Sequence, residues 1–447
     1  MNQTEKLKAA TELLNDEPDA AHKLCQDILR DDPDCVPAHT LLGVIATRSE
    51  RYGTALAHFQ LAAELKPDRA EMWNNLGTVY HEIKRPSKAR EMFKRALELK
   101  NDPLYMTNVG VTYSDDGDHA EALKWIEKAK RIKPDLPSIQ HASAFAHLAL
   151  GQWAEGWAAY EHTLGGRYRK KLDFGGKDWD GQPTGTLVVY GEQGIGDEIM
   201  YGSCIADAAE RCQRLIIECD PRLESLYKRS FPNAEVHGTR RLDRPWLDDV
   251  KVDAQVAVGS LPLFFRPTPE SCPRKPYLVA DPERRLMWRS LFKSWGKPVI
   301  GLTWSGGRYA SQLTKRTMGL ESLRPYIEST DAIFVSLQYE DPREEIEASG
   351  LPVRWFAESL KDKPLDDVAA LVAELDSIVG VHTTVHHLAG ALGKDSTVFV
   401  PEKPMWLYSY GDRIPFYKGQ VFVRQKKDER WIDVVKRWAG QQIRLAA

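Results

Sequence analysis

The sequence predicts an α plus α/β fold: a helical repeat solenoid over residues 1–165, followed by a pair of α/β halves. Three observations predict it. Small and apolar residues recur in register at a spacing of 34 positions through the first third of the chain. Beyond residue 183 the pattern changes to short apolar runs separated by turn residues and helical stretches. With 447 residues, 42% of them apolar, the chain exceeds what one ordinary core holds, so two or three domains are required.

The repeat comes first. His39, Leu42, Gly43, Ala55, Phe59, Ala62 and Pro67 fall opposite Trp73, Leu76, Gly77, Ala89, Phe93, Ala96 and Asn101. A third copy, one residue shorter, supplies Met106, Val109, Gly110, Ala122, Ile126, Ala129 and Pro134. Glycine and alanine stand where two helices approach closely, a large side chain plugs the gap, and proline stops the second helix. The pattern resembles the tetratricopeptide repeat, whose period is about 34 residues. An N-terminal copy, with Ala21, Cys25, Ile28 and Pro33, is expected to keep only its second helix. A weaker last copy places Gly156, Tyr160 and Thr163 in second-helix positions. Such an array offers a concave surface to a protein partner. The plainer reading is a solenoid that only packs on the rest of the chain.

Charge and cysteine usage narrow the function classes. The 61 basic and 64 acidic residues leave a net charge of −3, without the basic field that nucleic-acid binding needs. The six cysteines form no Cys-x-x-Cys pair and read as reduced thiols, most of them in the core. The segment MNQTEKLKAATELLNDEPD lacks an apolar signal core, and no run approaches the ~18 apolar residues of a membrane span. The expectation is a soluble cytoplasmic protein, with self-association through the repeats left open.

Residues 166–182, rich in glycine and charge, are expected as a linker, with the basic cluster RYRKK (167–171) read as solvated rather than anion-binding. Strands are predicted at 187–190, 214–219, 253–258, 298–304, 332–338, 376–381 and 396–400. Helical patterns such as 198–212, 364–375 and 385–393 lie between them. The alternation implies parallel sheets covered on both faces. It divides the remainder into halves at 183–284 and 285–447, with the last helix, 429–440, expected to cross back onto the first half.

In open α/β sheets ligands bind outside the carboxyl ends of strands, and three turns occupy that position. GEQGIGD (191–197) is neither a P-loop, lacking Gly-Lys-Ser/Thr, nor the dinucleotide fingerprint, because Ile199 replaces the third glycine. Gly194 and Gly196 permit a tight turn and close backbone approach. Asp197 then reads either as a helix N-cap or as a general base for an acceptor hydroxyl or amide. WSGGRYASQLTKRT (304–317) combines two glycines with Arg308, Lys315 and Arg316, which suits a diphosphate or, equally, a solvated loop. GVHTTVHHLAG (380–390) puts Thr383 and Thr384 at a helix N-terminus that favours phosphate. His382, His386 and His387 there read more simply as structural histidines than as a zinc site.

Taken as an ordered set, the repeats with GEQGIGDEIMY, SLQYED (336–341), LDSIVGVHTTVHHLAGALG (375–393) and FVRQ (422–425) resemble bacterial proteins that join tetratricopeptide repeats to a glycosyltransferase domain. That domain is related to family 9, the heptosyltransferases. The resemblance implies a GT-B architecture, two Rossmann-like domains flanking a cleft, and inverting, metal-independent transfer from a nucleotide-sugar without any cofactor. It implies Asp197 as base. It matches the loop around Gly306 to the region that holds the donor phosphates, and Thr383, Thr384 and His387 to the donor-binding turn; Gly194, Gly196, Trp304, Ser305, Arg316, Gln338 and His382 join them as candidate donor-binding residues. Glu192, Gln193, Trp406 and Tyr417 are candidates for the acceptor or sugar pocket, the two aromatics also reading as core. His382-Thr383 departs from the Asp-Thr of many relatives, and the His-Thr-Thr triplet is similar to the corresponding turn of the O-GlcNAc transferases. The expected function is a glycosyltransferase acting on a protein held by the repeats. The alternatives are a non-catalytic scaffold of the same shape and an enzyme of glycolipid or polysaccharide assembly.

Overall fold

The computed structural model describes residues 1–446 except 168, 241–242, 307–316 and 361–363. The chain divides into two compact units, Met1–Ala146 and His147–Ala447.

The first unit is a run of helical hairpins: Gln3–Leu13 with Pro18–Asp31, Val36–Arg48 with Tyr52–Leu65, Ala70–Glu82 with Pro86–Leu99, and Pro103–Asp115 with His119–Ile132. The repeat glycines do what the spacing requires. A Cβ on Gly43 would lie 2.7 Å from the Phe59 ring, one on Gly77 2.6 Å from Phe93, and one on Gly110 2.8 Å from Ile126. Each hairpin thus packs an aromatic or branched side chain directly on the backbone of its first helix. The turn between helices uses a left-handed residue at one register position: Glu50 (φ 57°), Lys84 (φ 59°) and Gly117 (φ 84°). The second helices end two residues before Pro67 and Pro134.

One expectation is corrected here. The N-terminal copy has both helices, not only the second. Gln3–Leu13 is held by a capping box in which Asn2 and Glu5 bond each other's backbone N–H. Its Leu7, Ala10 and Leu13 close over Ala21, Cys25 and Ile28.

The second unit contains two parallel sheets. The first comprises β1 (Lys177–Asp178), β2 (Thr184–Tyr190), β3 (Cys212–Glu218), β4 (Glu235–His237) and β5 (Ala254–Ala257), in the order β1-β5-β2-β3-β4. The second comprises β6 (Val299–Thr303), β7 (Ile333–Ser336), β8 (Val353–Arg354), β9 (Ser377–Val381), β10 (Ser396–Val400) and β11 (Gln420–Arg424), in the order β11-β10-β9-β6-β7-β8. Every strand pair is parallel. The second order is the doubly wound 3-2-1-4-5-6 arrangement, so successive strands depart in opposite directions from β6 and β9. The first sheet reverses in the same way between β2 and β5. All seven predicted strands are present. The four that were not predicted, β1, β4, β8 and β11, are the four sheet edges.

Four further expectations change. The helix Trp153–Glu161 belongs to the second unit, where Trp153 stacks on Phe416 and Trp157 meets Tyr201 and Trp406 edge-on. The segment expected as a linker is folded into the first sheet: it contributes β1, and its Phe174 and Trp179 are buried. The C-terminal helix Trp431–Ala446 does not cross back. Val434, Val435, Trp438 and Ala439 enter the core of the second sheet, with Trp438 against Tyr326 and Phe399. Its apolar side chains form one stripe, and the second sheet supplies the matching surface. The predicted helix 198–212 is broken into Ile195–Gly202 and Ile205–Ala209.

The two halves meet directly. Arg229 pairs with Asp366 across them, and Arg222 Nη1 lies 3.4 Å from the Tyr339 hydroxyl. Five cysteines are buried and Cys212 is partly buried, all as thiols. Among the described residues no helix is long and apolar enough to cross a membrane.

Candidate functional site

Each sheet reverses direction at one point, and the sequence turns sit there. Gly191–Asp197 follows β2, beside the turn that follows β5. Trp304–Gly306 follows β6, and His382–Thr384 follows β9.

The β2 turn enters the helix Ile195–Gly202. Gly194, not Asp197, is its N-cap, with extended backbone (φ −72°, ψ 156°). Asp197 lies in the first turn, partly exposed, where a carboxylate is favoured by the helix dipole. The cap reading of Asp197 is therefore replaced by a first-turn acid. Glu192 is buried and paired with Arg169 at 3.0 Å. Glu198 is buried and paired with Arg240, which also holds Asp220 at 3.0 Å. Glu192 and Glu198 are thus committed to internal ion pairs, and Glu192 faces Arg169. Gln193 donates from its amide to the Tyr160 hydroxyl.

The β6 turn is pinned by Gln338, from the end of β7. Its Oε1 accepts from the backbone N–H of Trp304 (3.1 Å) and Ser305 (3.4 Å), and its Nε2 donates to Ser305 Oγ at 2.6 Å. Trp304 is fully buried, and its indole N–H donates to Glu345 at 2.6 Å, so its side chain serves the core. A Cβ on Gly306 would lie 2.8 Å from Thr383 Cγ2, which joins this turn to the next. Arg308, Lys315 and Arg316 lie outside the described residues.

The β9 turn opens the helix Thr384–Ala391. Thr383 is its N-cap in extended conformation, yet its hydroxyl makes no cap bond and, among the described residues, finds no protein partner although buried. The helix start therefore lacks a side-chain cap. His382 is buried, its ring 4.4 Å from that of His387 and 4.6 Å from that of Tyr408. His386 is fully buried, with Nε2 3.1 Å from Thr303 Oγ1, and burial pushes it down to about 3. His387 Nδ1 lies 3.1 Å from the hydroxyl of Tyr417, whose own titration burial raises well above normal. The three histidines do not assemble into a metal site: no group of three or more His, Cys, Asp or Glu able to hold an ion occurs among the described residues.

The two halves bring these turns together. A Cβ on Gly196 would stand 3.3 Å from Thr384 Oγ1 and 3.3 Å from His387 Cδ2. Gly196 therefore packs against Thr384 and His387, and Gly306 against Thr383, with Asp197 next in the chain to Gly196. Tyr417 backs His387, packing on the bare backbone of Gly390. Trp406 is half-buried and set edge-on to Trp157 at 5.7 Å. Sequence reasoning missed Arg169, Arg240, Asp220 and Tyr160. Arg169 was within view in the RYRKK cluster, but it is 2% exposed instead of solvated. Two of its partners, Glu192 and Ser260, lie 23 and 91 residues away, which no local pattern reports.

The tetratricopeptide-repeat family matches residues 34–102 and 105–136, so the chain carries tetratricopeptide repeats. The chain is 29% identical over 425 aligned residues to protein FlbA of Caulobacter vibrioides, with 81% of this chain and 71% of that protein covered. It is 28% identical over 120 residues to the protein O-mannosyl-transferase TMTC1 of Mus musculus, with 26% of this chain and 13% of that protein covered. Among solved structures, the type IV pilus biogenesis factor PilW aligns with a TM-score of 0.34 and 21% identity, over 36% of this chain and 76% of its own.

Proposed function

We propose that residues 147–447 form a glycosyltransferase of GT-B type that uses a nucleotide-sugar and modifies a protein bound by the tetratricopeptide repeats. The observation that carries this reading is the meeting of Gly196, the residue before Asp197, with Thr384 and His387 at an uncapped helix start. Backbone N–H groups at a helix N-terminus suit a phosphate. The donor phosphate sits on the Thr384 helix start and the Ser305–Gly306 turn. The acceptor oxygen or nitrogen attacks the anomeric carbon as the bond to the nucleotide oxygen breaks. The nucleotide leaves with the electron pair, and Asp197 takes the acceptor proton. Charge grows on the leaving phosphate, where preorganised donors contribute most. The resemblance described above supplies the inverting course and the absence of a metal requirement. The mannosyl transfer named for TMTC1 is consistent with sugar chemistry in a repeat protein, although this chain spans only 13% of that protein.

Asp197→Asn tests the reading. The variant is expected to keep its fold and its nucleotide affinity and to lose about 10²-fold or more of its turnover, the scale of a removed general base. Full turnover in that variant rules Asp197 out. The commitment of Glu192 and Glu198 to internal pairs favours a second reading, a nucleotide-free scaffold, only if calorimetric titration of the folded chain with a panel of nucleotides and nucleotide-sugars registers no binding.

A further inference from the structure

By repeat register the helix Trp153–Glu161 is the second helix of a last hairpin, yet its polar side chains are built into the first sheet's reversal point. Arg169 is the hub. Its Nε donates to Glu192 Oε1 at 3.1 Å, in the turn after β2. Its Nη2 donates to Ser260 Oγ at 2.8 Å, in the turn after β5. Its Nη1 donates to the Tyr160 carbonyl at 3.1 Å and lies 3.4 Å from Glu161 Oε2, at the end of the helix. Ser260 donates in turn to Glu161 Oε2 at 2.5 Å, and the guanidinium lies 4.3 Å over the Tyr160 ring. One buried cation thus ties both turns of the reversal point to one helix. Tyr160 closes the circuit, because its hydroxyl accepts from the amide of Gln193. The carbonyl of Gln193 is gripped from the other side by Arg240 Nη1 at 2.5 Å. Gln193 immediately precedes Gly194, the cap of the helix that carries Asp197.

Packing alone does not require this network. Trp153 and Trp157 already anchor the helix through Phe416, Tyr201 and Trp406, and Trp157 donates to the Arg266 carbonyl at 2.9 Å. A phenylalanine at 160 would fill the same space. Buried ion pairs are poor sources of net stability, whereas fully satisfied networks hold a single geometry. We propose that Tyr160 and Arg169 are positioning residues that set the Gln193–Asp197 turn, so that the last helix in repeat register is a working part of the site. The catalytic consequence rests on the reading of Asp197 as base; the positioning itself does not.

The test uses the full chain carrying Tyr160→Phe, with Arg169→Lys as a second variant that keeps the charge and loses the fork. Hydrogen exchange of the 191–197 segment is expected to quicken about fivefold in both, the scale of one lost hydrogen bond, while exchange in Thr384–Ala391 and the melting temperature of Tyr160→Phe stay unchanged. Sugar transfer is expected to fall about tenfold in kcat at an unchanged donor KM, as misplacement of a reacting group predicts. Wild-type exchange in the 191–197 segment of Tyr160→Phe overturns the proposal, whatever the activity. Faster exchange in a protein whose parent form neither binds nucleotide nor transfers sugar upholds the positioning and overturns the glycosyltransferase reading instead.

Discussion

Gly196 and Thr384 meet where the two halves touch, so closely that a methyl group built on the glycine would stand 3.3 Å from the threonine hydroxyl. Contact this tight makes the glycine a gauge of the distance between the halves. Gly196→Val is expected to force the helices Ile195–Gly202 and Thr384–Ala391 apart, at a cost of about 1–3 kcal/mol for overpacking. Thermal denaturation checks the stability, and nucleotide titration should weaken in parallel. An unaltered melting curve would mean that the halves do not meet here.

Gln338 holds the backbone of the β6 turn, so its loss is felt through that turn. In Gln338→Leu the N–H groups of Trp304 and Ser305 lose their shared acceptor, a penalty of about 1–3 kcal/mol for unsatisfied buried donors. Nucleotide affinity is expected to drop with it. Binding equal to the parent protein would show that the turn holds its own shape.

Lys84 stores strain that the repeat can release. It occupies the left-handed turn position that Gly117 fills one repeat later, and Gly151 again after that. Lys84→Gly should stabilise the repeat unit by roughly 0.5–1 kcal/mol, the left-handed penalty less the added freedom of the unfolded glycine. The mirror change, Gly117→Ala, should destabilise it by about 1 kcal/mol. Denaturant melts followed on residues 1–146 read both signs.

His386 gives the second unit an acid sensitivity of definite sign. Burial lowers its folded value to about 3, while in the unfolded chain it titrates near the ordinary ~6.5. Above ~6.5 the ring is neutral in both states and the full stability is present. Between ~6.5 and about 3 only the unfolded chain takes the proton, so stability falls by up to ~1.4 kcal/mol per pH unit. His386→Gln should flatten the slope by one proton over that window, read as the difference between the two proteins' denaturation curves. Parallel curves would place the proton on another group. In the first unit His141, pushed down to about 4 by burial, should act in the same direction.

What was legible followed from local burial. Phe59, Phe93 and Ile126 recur because each fills the space above a glycine in its own hairpin. The seven interior strands were readable because both faces of each are covered, which leaves an unbroken apolar run. The edge strands β1, β4, β8 and β11 are exposed or half-buried at half or more of their positions, so their apolar runs are short or broken. The first helix of the N-terminal hairpin carried a usable signal, the Asn2–Glu5 capping pair, but little of the repeat's spacing. Arg169 illustrates the opposite failure: in a run of basic residues it looked solvated, and only the folded chain brings Glu192, Ser260 and the Tyr160–Glu161 helix end to it.

Taken by itself, the sequence determined the repeat, its period, the alternation of strand and helix, and the three turns that end β2, β6 and β9. Each of these is written in neighbours a few positions apart, because local backbone geometry and one-sided burial act at that range. Only the tertiary structure decided that Gly196 abuts Thr384, that Glu192 spends its charge on Arg169, and that the last helix stays on the second sheet. Those outcomes depend on which distant surfaces meet, and pairwise packing at long range leaves no spacing to read.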